Sequence, residues 1–179
     1  MHLDFDLLSM TELRNRPGEL LDRVADKREA FIIERNGHRM ACLVPLSVFF
    51  PDIAPARIAA ELHELEEHGE APRTTITDDR ELVFKFTTEA AGGTPVEIQV
   101  LLPHGYPHGC PKVYAVPVNE KAPHRWADGA LCLYGVLTGW NPGKHTVYFT
   151  LQLARQWLDR YATWEKTGEW RDNEERSNE

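Results

Sequence analysis

The residue best suited to chemistry is Cys132, in the segment Gly129-Ala-Leu-Cys132-Leu133. Residues 119–143 around it are rich in glycine, proline and isolated polar side chains, which is typical of a long functional loop. His124 and Asp128 lie eight and four residues before the cysteine. A thiolate is a strong nucleophile where its surroundings are partly exposed and positively biased, and a nearby histidine can supply that bias. The alternative is a buried cysteine that acts as a small hydrophobic residue.

The composition limits the classes of protein to consider. Of 179 residues, 42% are hydrophobic and 27% charged, so we expect one folded domain, or one domain plus a small module. No apolar run approaches the ~18 residues of a membrane-spanning helix, and the acidic start does not resemble an export signal. We therefore expect a cytoplasmic protein with no membrane partner. The net charge of −8 does not attract phosphate, so DNA binding requires a local basic patch.

The cysteine count argues against disulfides and metal. Cys42, Cys110 and Cys132 are too few and too far apart for a disulfide framework or a paired-cysteine zinc site. We expect no metal and no cofactor. Cys42 lies in an apolar strand pattern, which predicts a buried thiol.

The first fifty residues predict a helix followed by a β-hairpin. Ser9 and Glu12 have the spacing of a capping box, in which each side chain bonds the other residue's backbone amide. Apolar residues then recur at helical spacing and predict an amphipathic helix over residues 10–25. Two apolar runs, 30–34 and 39–44, flank Asn36-Gly37, a pair that favours a tight hairpin turn.

The rest of the chain predicts a helix, an antiparallel sheet, a long loop and a second helix. The first helix covers residues 55–68, with Ile58, Leu62 and Leu65 on its buried face. Strands are predicted at 81–87, 96–102 and 112–118, with a turn at Gly92-Gly93, and the last helix at 146–161. Prolines bound a hinge at 51–55. We predict an α+β chain with domains at 1–50 and 51–168 and a charged tail at 169–179.

Residues 55–165 resemble the ubiquitin-conjugating enzyme family. Three motifs carry the resemblance. The segment from Tyr106-Pro107 to Lys112-Val113 is similar to the family's YPxxPPKV, Gly129–Leu133 to its GxICL, and Trp140-Asn-Pro142 to its WSP. The last of these falls eight and ten residues after Cys132. The order of helix, strands, loop, cysteine and helix is also similar.

The resemblance implies a specific chemistry. Cys132 would receive a ubiquitin-like modifier from an activating enzyme, hold it as a thioester, and transfer it to an amine of a protein target. The family's His-Pro-Asn is Ala122-Pro123-His124 here, which puts His124 where the family has the asparagine that stabilises the oxyanion. A protonated His124 can donate the same hydrogen bond, and a neutral one can act as a base.

Other site residues follow from the same resemblance. Asp128 and His145 are candidates for steering the amine, and a structural or solvated role is the alternative for each. Six residues are expected to support the active-site loop: Tyr106, Pro107, Pro123, Gly129, Trp140 and Pro142.

Residues 8–50 resemble the N-terminal domain of the Phd/YefM antitoxin family. The helix segment from Met10 to Val24 and the hairpin from Phe31 to Leu46 carry this resemblance. It implies self-dimerisation through residues 1–50 and binding of operator DNA, with Arg14 and Arg16 as the phosphate contacts. A dimerisation scaffold that does not bind DNA is the alternative.

Two classes of function therefore remain. The first is a ubiquitin-like conjugating enzyme of a prokaryotic pathway, with a ThiF-like activating enzyme and a role in antiphage defence. The second is a binding protein: a DNA-binding, antitoxin-like regulator or a noncatalytic adaptor for a ubiquitin-like protein.

Overall fold

The computed structural model describes residues 4–48, 53–89, 93–134 and 139–170. Its internal contacts divide the chain into two units, Met1–Pro55 and Ala56–Glu179. Part of the expected hinge (Pro51 and Asp52), Gly92 of the expected turn, and residues 171–179 of the expected tail lie outside the described residues.

Among its described residues, the first unit contains three strands, two α-helices and a short 3-10 helix at Leu46–Val48. In chain order the strands and α-helices are β1 (Phe5–Ser9), α1 (Met10–Asn15), α2 (Pro17–Lys27), β2 (Ala30–Arg35) and β3 (His38–Leu43). β2 lies between β1, which runs parallel to it, and β3, which runs antiparallel. The capping box is confirmed, because Ser9 Oγ accepts the amide of Glu12 and Glu12 accepts the amide of Ser9. The hairpin turn is confirmed too: Asn36 and Gly37 both have positive φ, 53° and 78°.

The predicted helix over residues 10–25 is interrupted. Proline has no amide hydrogen and clashes with the preceding turn, so it is tolerated only at a helix start. Here Pro17 begins α2 after a break at Arg16, whose φ of −138° is not helical. β1, which ends at the capping residue Ser9, was not predicted.

A small core holds this unit together. Leu8, Leu20, Val24 and Phe31 are buried against one another, and Leu13 of α1 packs partly buried beside them, so both helices pack on one face of the sheet. Side chains alternate across a strand. Leu43 faces this core, whereas its neighbour Cys42 pairs with Ile32 on the other face and is exposed. The prediction of a buried Cys42 thiol was therefore wrong.

In the described part of the second unit, two helices pack with a four-stranded antiparallel sheet. Its elements are α3 (Pro55–Glu67), β4 (Arg73–Ile76), β5 (Leu82–Glu89), β6 (Pro95–Leu102), β7 (Lys112–Val116) and α4 (Val147–Thr167). The strands pair in sequence order. Phe84, Ile98 and Val100 from the sheet and Leu151 and Ala154 from α4 are fully buried. The α+β class is confirmed.

Three features of this unit differ from the expectation. The polar strand β4 was not predicted. The buried face of α3 carries Ile58, Glu61 and Leu65, whereas Leu62 is 41% exposed, so its placement on that face was wrong. α4 continues to Thr167, where Gly168, at a φ of 75°, closes it with its amide on the carbonyl of Trp164. Within the described residues, no helix is long and apolar enough to cross a membrane.

Candidate active site

Two main-chain hydrogen bonds fix the segment that carries Cys132 in place. The amide of Leu131 donates to the carbonyl of Val113 on β7 at 2.7 Å. The amide of Cys132 donates to the carbonyl of His124 at 2.8 Å. Leu131 is buried and anchors the segment, while Cys132 is half-buried. Among the residues that the structure describes, its Sγ makes no hydrogen bond, so the thiol is held by its backbone and left unpaired.

A tight turn precedes the cysteine, between Arg125 and Leu131, which form an isolated antiparallel bridge. Gly129 has a φ of +86°, which favours glycine. Its carbonyl accepts from Nε and Nη2 of Arg125 at 3.1 and 3.0 Å. The turn therefore depends on glycine for its backbone and on Arg125 for its closure.

Asp128 stabilises this turn. Its Oδ1 accepts the amide of Ala130 at 3.1 Å, and its Oδ2 accepts from Nζ of Lys112 at 2.7 Å. The hydrogen bond from Lys112 is the main reason that the pKa of Asp128 is lowered. The contacts of Asp128 are those of a structural carboxylate; a role in steering an amine stays a prediction.

His124 contributes its backbone to the Cys132 segment and its ring to a different contact. It follows the half-buried Pro123 and has a φ of 55°, in the left-handed region. The imidazole stacks on Trp170, with ring centroids 5.0 Å apart. The predicted hydrogen bond from this ring to an oxyanion stays a prediction.

Aromatic side chains pack around the chain that follows Cys132. Nε1 of Trp140 donates to the carbonyl of Pro107 at 2.6 Å, and its ring lies 5.9 Å from Tyr106 and 5.7 Å from Tyr134. The hydroxyl of Tyr134 bonds that of Thr150 on α4 at 2.6 Å. These contacts tie the end of the active-site loop to the Tyr106 turn and to α4.

His145 is held by its neighbours in the same loop. Its Nδ1 accepts the amide of Asn141 at 3.0 Å, and its ring stacks on Phe149 with centroids 4.2 Å apart. This nitrogen is therefore occupied as an acceptor. A role in steering an amine stays a prediction for His145.

Sequence reasoning missed a buried ionic network that fastens this loop to α3. Arg57 donates to Glu61 Oε1 at 2.6 Å, to the carbonyl of Pro142 at 3.2 Å and to that of His145 at 2.8 Å. Glu61, only 1% exposed, also accepts the amide of Val147 at the start of α4, at 2.7 Å, and the hydroxyl of Tyr106. Every polar atom of this carboxylate is thereby used.

Tyr106 completes the network. It is buried beside Arg57, whose Nη2 donates to its hydroxyl at 3.2 Å. Burial, followed by the hydrogen bond to Glu61, raises the pKa of Tyr106, so its phenol stays protonated as a donor. One sequence signal could have indicated this network: Arg57 and Glu61 are four residues apart on the apolar face of α3.

Comparison with known families shows to which family this chain belongs. Residues 63–178 match the model of the Type II CBASS E2 protein. The chain belongs to the Type II CBASS E2 protein family. This confirms the resemblance to ubiquitin-conjugating enzymes. The function of this E2 is therefore of the ubiquitin-like conjugation type, in defence.

Further matches accompany this Type II CBASS E2 assignment. Residues 6–49 match the Phd/YefM antitoxin of type II toxin–antitoxin systems, which confirms the second resemblance. No curated protein matches. One similar solved structure is human ubiquitin-conjugating enzyme E2 G1, at 16% identity and a TM-score of 0.43, covering 59% of this chain and 96% of that one. Another is a complex of the Vps23 UEV with ubiquitin, at 18% identity and a TM-score of 0.44, covering 61% and 86%.

In this E2, a cavity of about 650 Å³ lies beside the turn that precedes Cys132. It is lined by Trp126, which is 61% exposed, and by Cys110 and Tyr134 among others. Cys110 is exposed, but partial desolvation of its thiol raises its pKa to about 11, which keeps it protonated and poorly nucleophilic at neutral pH. Within the described part of the chain, no three His, Cys, Asp or Glu side chains are grouped to hold a metal ion.

The predicted DNA contacts lie in the first unit of this E2 chain. Arg14 is exposed on α1. Arg16 stands between the two helices, 3.9 Å from Glu12 and 3.6 Å from Glu19. These carboxylates offset part of its charge, and DNA binding stays a prediction for both arginines.

Proposed function

We propose that the chain is a conjugating enzyme that carries a ubiquitin-like modifier as a thioester on Cys132. Membership of the Type II CBASS E2 family supports this proposal. The observation that carries it is the setting of Cys132: its backbone is fixed by the His124 carbonyl, its side chain is half-buried, and its Sγ has no partner among the described residues. Such a thiol is available for acyl transfer.

The chemistry takes two steps. In the first, Sγ of Cys132 attacks the thioester carbonyl that joins the modifier's C-terminus to the activating enzyme. A new C–S bond forms, the old one breaks, and the proton passes to the departing thiol. In the second, an amine of the target attacks the new thioester. The C–N bond forms, the Cys132 thiolate leaves and takes up a proton, and the product is an amide.

The surrounding residues act by positioning. Acyl transfer from a thioester depends largely on how the reacting groups are held. We assign this task to Pro123, Gly129 and the backbone of His124 before the cysteine, and to Trp140 and Pro142 after it. Tyr106 and Pro107 hold Trp140 from the turn before β7, and Arg57 donates to the carbonyl of Pro142.

A charging assay tests this function. The purified chain is mixed with ATP, an activating enzyme of the ThiF type and its ubiquitin-like modifier, and then run on a gel without reductant. We expect an adduct of one modifier that requires ATP and disappears on addition of a thiol reductant. If the activating enzyme charges itself but no adduct forms on the chain, the proposal is wrong. Noncovalent binding of the modifier in that case would identify an adaptor.

We further propose that the first unit forms a dimer through the sheet face that its helices leave open. Leu7, Ile32 and Cys42 are register partners on this outer face, and Leu7 is 60% exposed. An exposed apolar sheet face is typical of an interaction surface. The match to the Phd/YefM antitoxin supports this choice.

Leu7→Glu tests the dimer by light scattering after size exclusion. In a two-fold interface the charge appears twice, so we expect the dimer dissociation constant to rise at least about a hundredfold. Leu21→Glu is the matched control, because Leu21 is also exposed, at 55%, but lies on α2. A dimer that survives Leu7→Glu and is lost with Leu21→Glu would move the interface to the helices.

A further inference from the structure

Three aromatic side chains meet beside the Cys132 segment, and we call them the aromatic cluster: His124, Trp157 and Trp170. Trp157 on α4 is buried, and its Nε1 donates to the carbonyl of His124 at 3.0 Å. The imidazole of His124 and the indole of Trp170 are stacked, with planes 25° apart. The two indole rings lie 5.3 Å apart.

One oxygen atom joins this cluster to the cysteine. The carbonyl of His124 that accepts from Trp157 is the one that accepts the amide of Cys132. A carbonyl oxygen has two lone pairs and can accept both bonds at once. The backbone of Cys132 is therefore coupled to α4 through a single atom.

The backbone of His124 needs such support. Its φ of 55° lies in a region that residues other than glycine adopt at a cost and keep only where surrounding contacts impose it. Trp157 holds its carbonyl and Trp170 holds its ring. Loss of either contact favours relaxation of His124, which moves the acceptor of the Cys132 amide.

We propose that Trp157 and Trp170 are positioning residues for acyl transfer at Cys132, acting through His124. The proposal rests on the function proposed above for Cys132. Attack on a thioester requires the amine nitrogen within ~3–3.5 Å of the carbonyl carbon, and a misplacement of ~1 Å can cost about a hundredfold in rate. Both tryptophans thus contribute to transfer by fixing where Sγ stands.

Single-turnover transfer tests the proposal. The charged chain is separated from ATP and activating enzyme, and discharge to free lysine is followed over a range of lysine concentrations. Trp157→Phe keeps an aromatic ring but removes the Nε1 donor, and Trp170→Ala removes the stacking partner. For both we expect full charging, a maximal discharge rate lowered roughly tenfold, and an unchanged half-saturating lysine concentration.

Two further variants separate positioning from general loss of structure. Trp170→Phe retains an aromatic face for His124 and is expected to recover most of the rate. Trp164→Phe changes a tryptophan of the same helix whose ring packs near Tyr161, at 6.0 Å, and should discharge like the wild type. Equal slowing by Trp164→Phe would contradict the assignment.

A second measurement does not depend on activity. Hydrogen exchange of the Cys132 amide is measured by NMR in the uncharged chain, with the Trp126 amide, bonded to the carbonyl of Ala130, as the internal reference. Trp157→Phe and Trp170→Ala should speed exchange at Cys132 roughly tenfold and leave Trp126 unchanged. Wild-type exchange together with wild-type discharge would overturn the proposal. If the wild type does not charge at all, the proposed function fails, and exchange alone decides whether the cluster holds Cys132.

Discussion

Replacing Cys132 with alanine is expected to abolish the reducible adduct completely, because no other side chain of the segment can form a thioester. Cys132→Ser should instead trap the modifier as an ester that resists thiol reductants. An alkoxide is a poorer leaving group than a thiolate, so transfer from this ester to an amine should be far slower. Nonreducing and reducing gels of the two variants distinguish these outcomes.

Cys110→Ser is the matched control for both substitutions. Cys110 is also a free and exposed cysteine, but partial desolvation raises the pKa of its thiol to about 11. We expect the Cys110 variant to charge like the wild type. If charging moves with Cys110 and survives Cys132→Ala, the acyl carrier has been assigned to the wrong residue.

Arg57→Met is expected to destabilise the second unit by about 3 kcal/mol. The substitution leaves the carboxylate of Glu61 buried without its cationic partner, and breaking a buried pair in this way typically costs 3–5 kcal/mol. The low end applies because the side chain of Arg57 is 22% exposed. Thermal unfolding followed by tryptophan fluorescence measures the effect, since all five tryptophans lie in this unit.

Two controls give this result its meaning. Arg155→Met breaks the pair with Glu70, whose side chains are 31% and 18% exposed, and we expect it to cost about 1 kcal/mol or less. The double variant Arg57→Met/Glu61→Leu removes both charges and should regain part of the lost stability. Equal effects of Arg57→Met and Arg155→Met would show that burial of Glu61 is not the reason.

Local signals predicted much of the fold. The capping box at Ser9 and the Asn36-Gly37 turn each depend on a few adjacent residues, so the sequence contains the whole interaction. The apolar face of α4 is equally local, and its buried residues Leu151, Ala154 and Leu158 follow the helical period. The prediction of one continuous helix in the first unit was wrong at Pro17, because the apolar residues keep their helical spacing across the break in the backbone.

Long-range contacts explain what was missed. A glutamate in a helix is expected to face water, because an unpaired buried charge is costly. Glu61 is buried because its partners Tyr106 and Val147 reach it from 45 and 86 residues away. The motif around Cys132 was enough to predict its segment. The hydrogen bond from the Cys132 amide to the His124 carbonyl could not be predicted, because residue type does not indicate which main-chain carbonyl accepts a bond.

The bond between Leu131 and Val113 has a consequence for solubility. β7 is the last strand of its sheet, and an unpaired strand edge is a template on which other chains can add. Because the Cys132 segment bonds to β7 through Leu131, it covers part of that edge. Movement of the Cys132 segment away from β7 would help a bulky acyl donor to approach. The same movement would expose the edge of β7 to aggregation, so the segment has limited freedom to move.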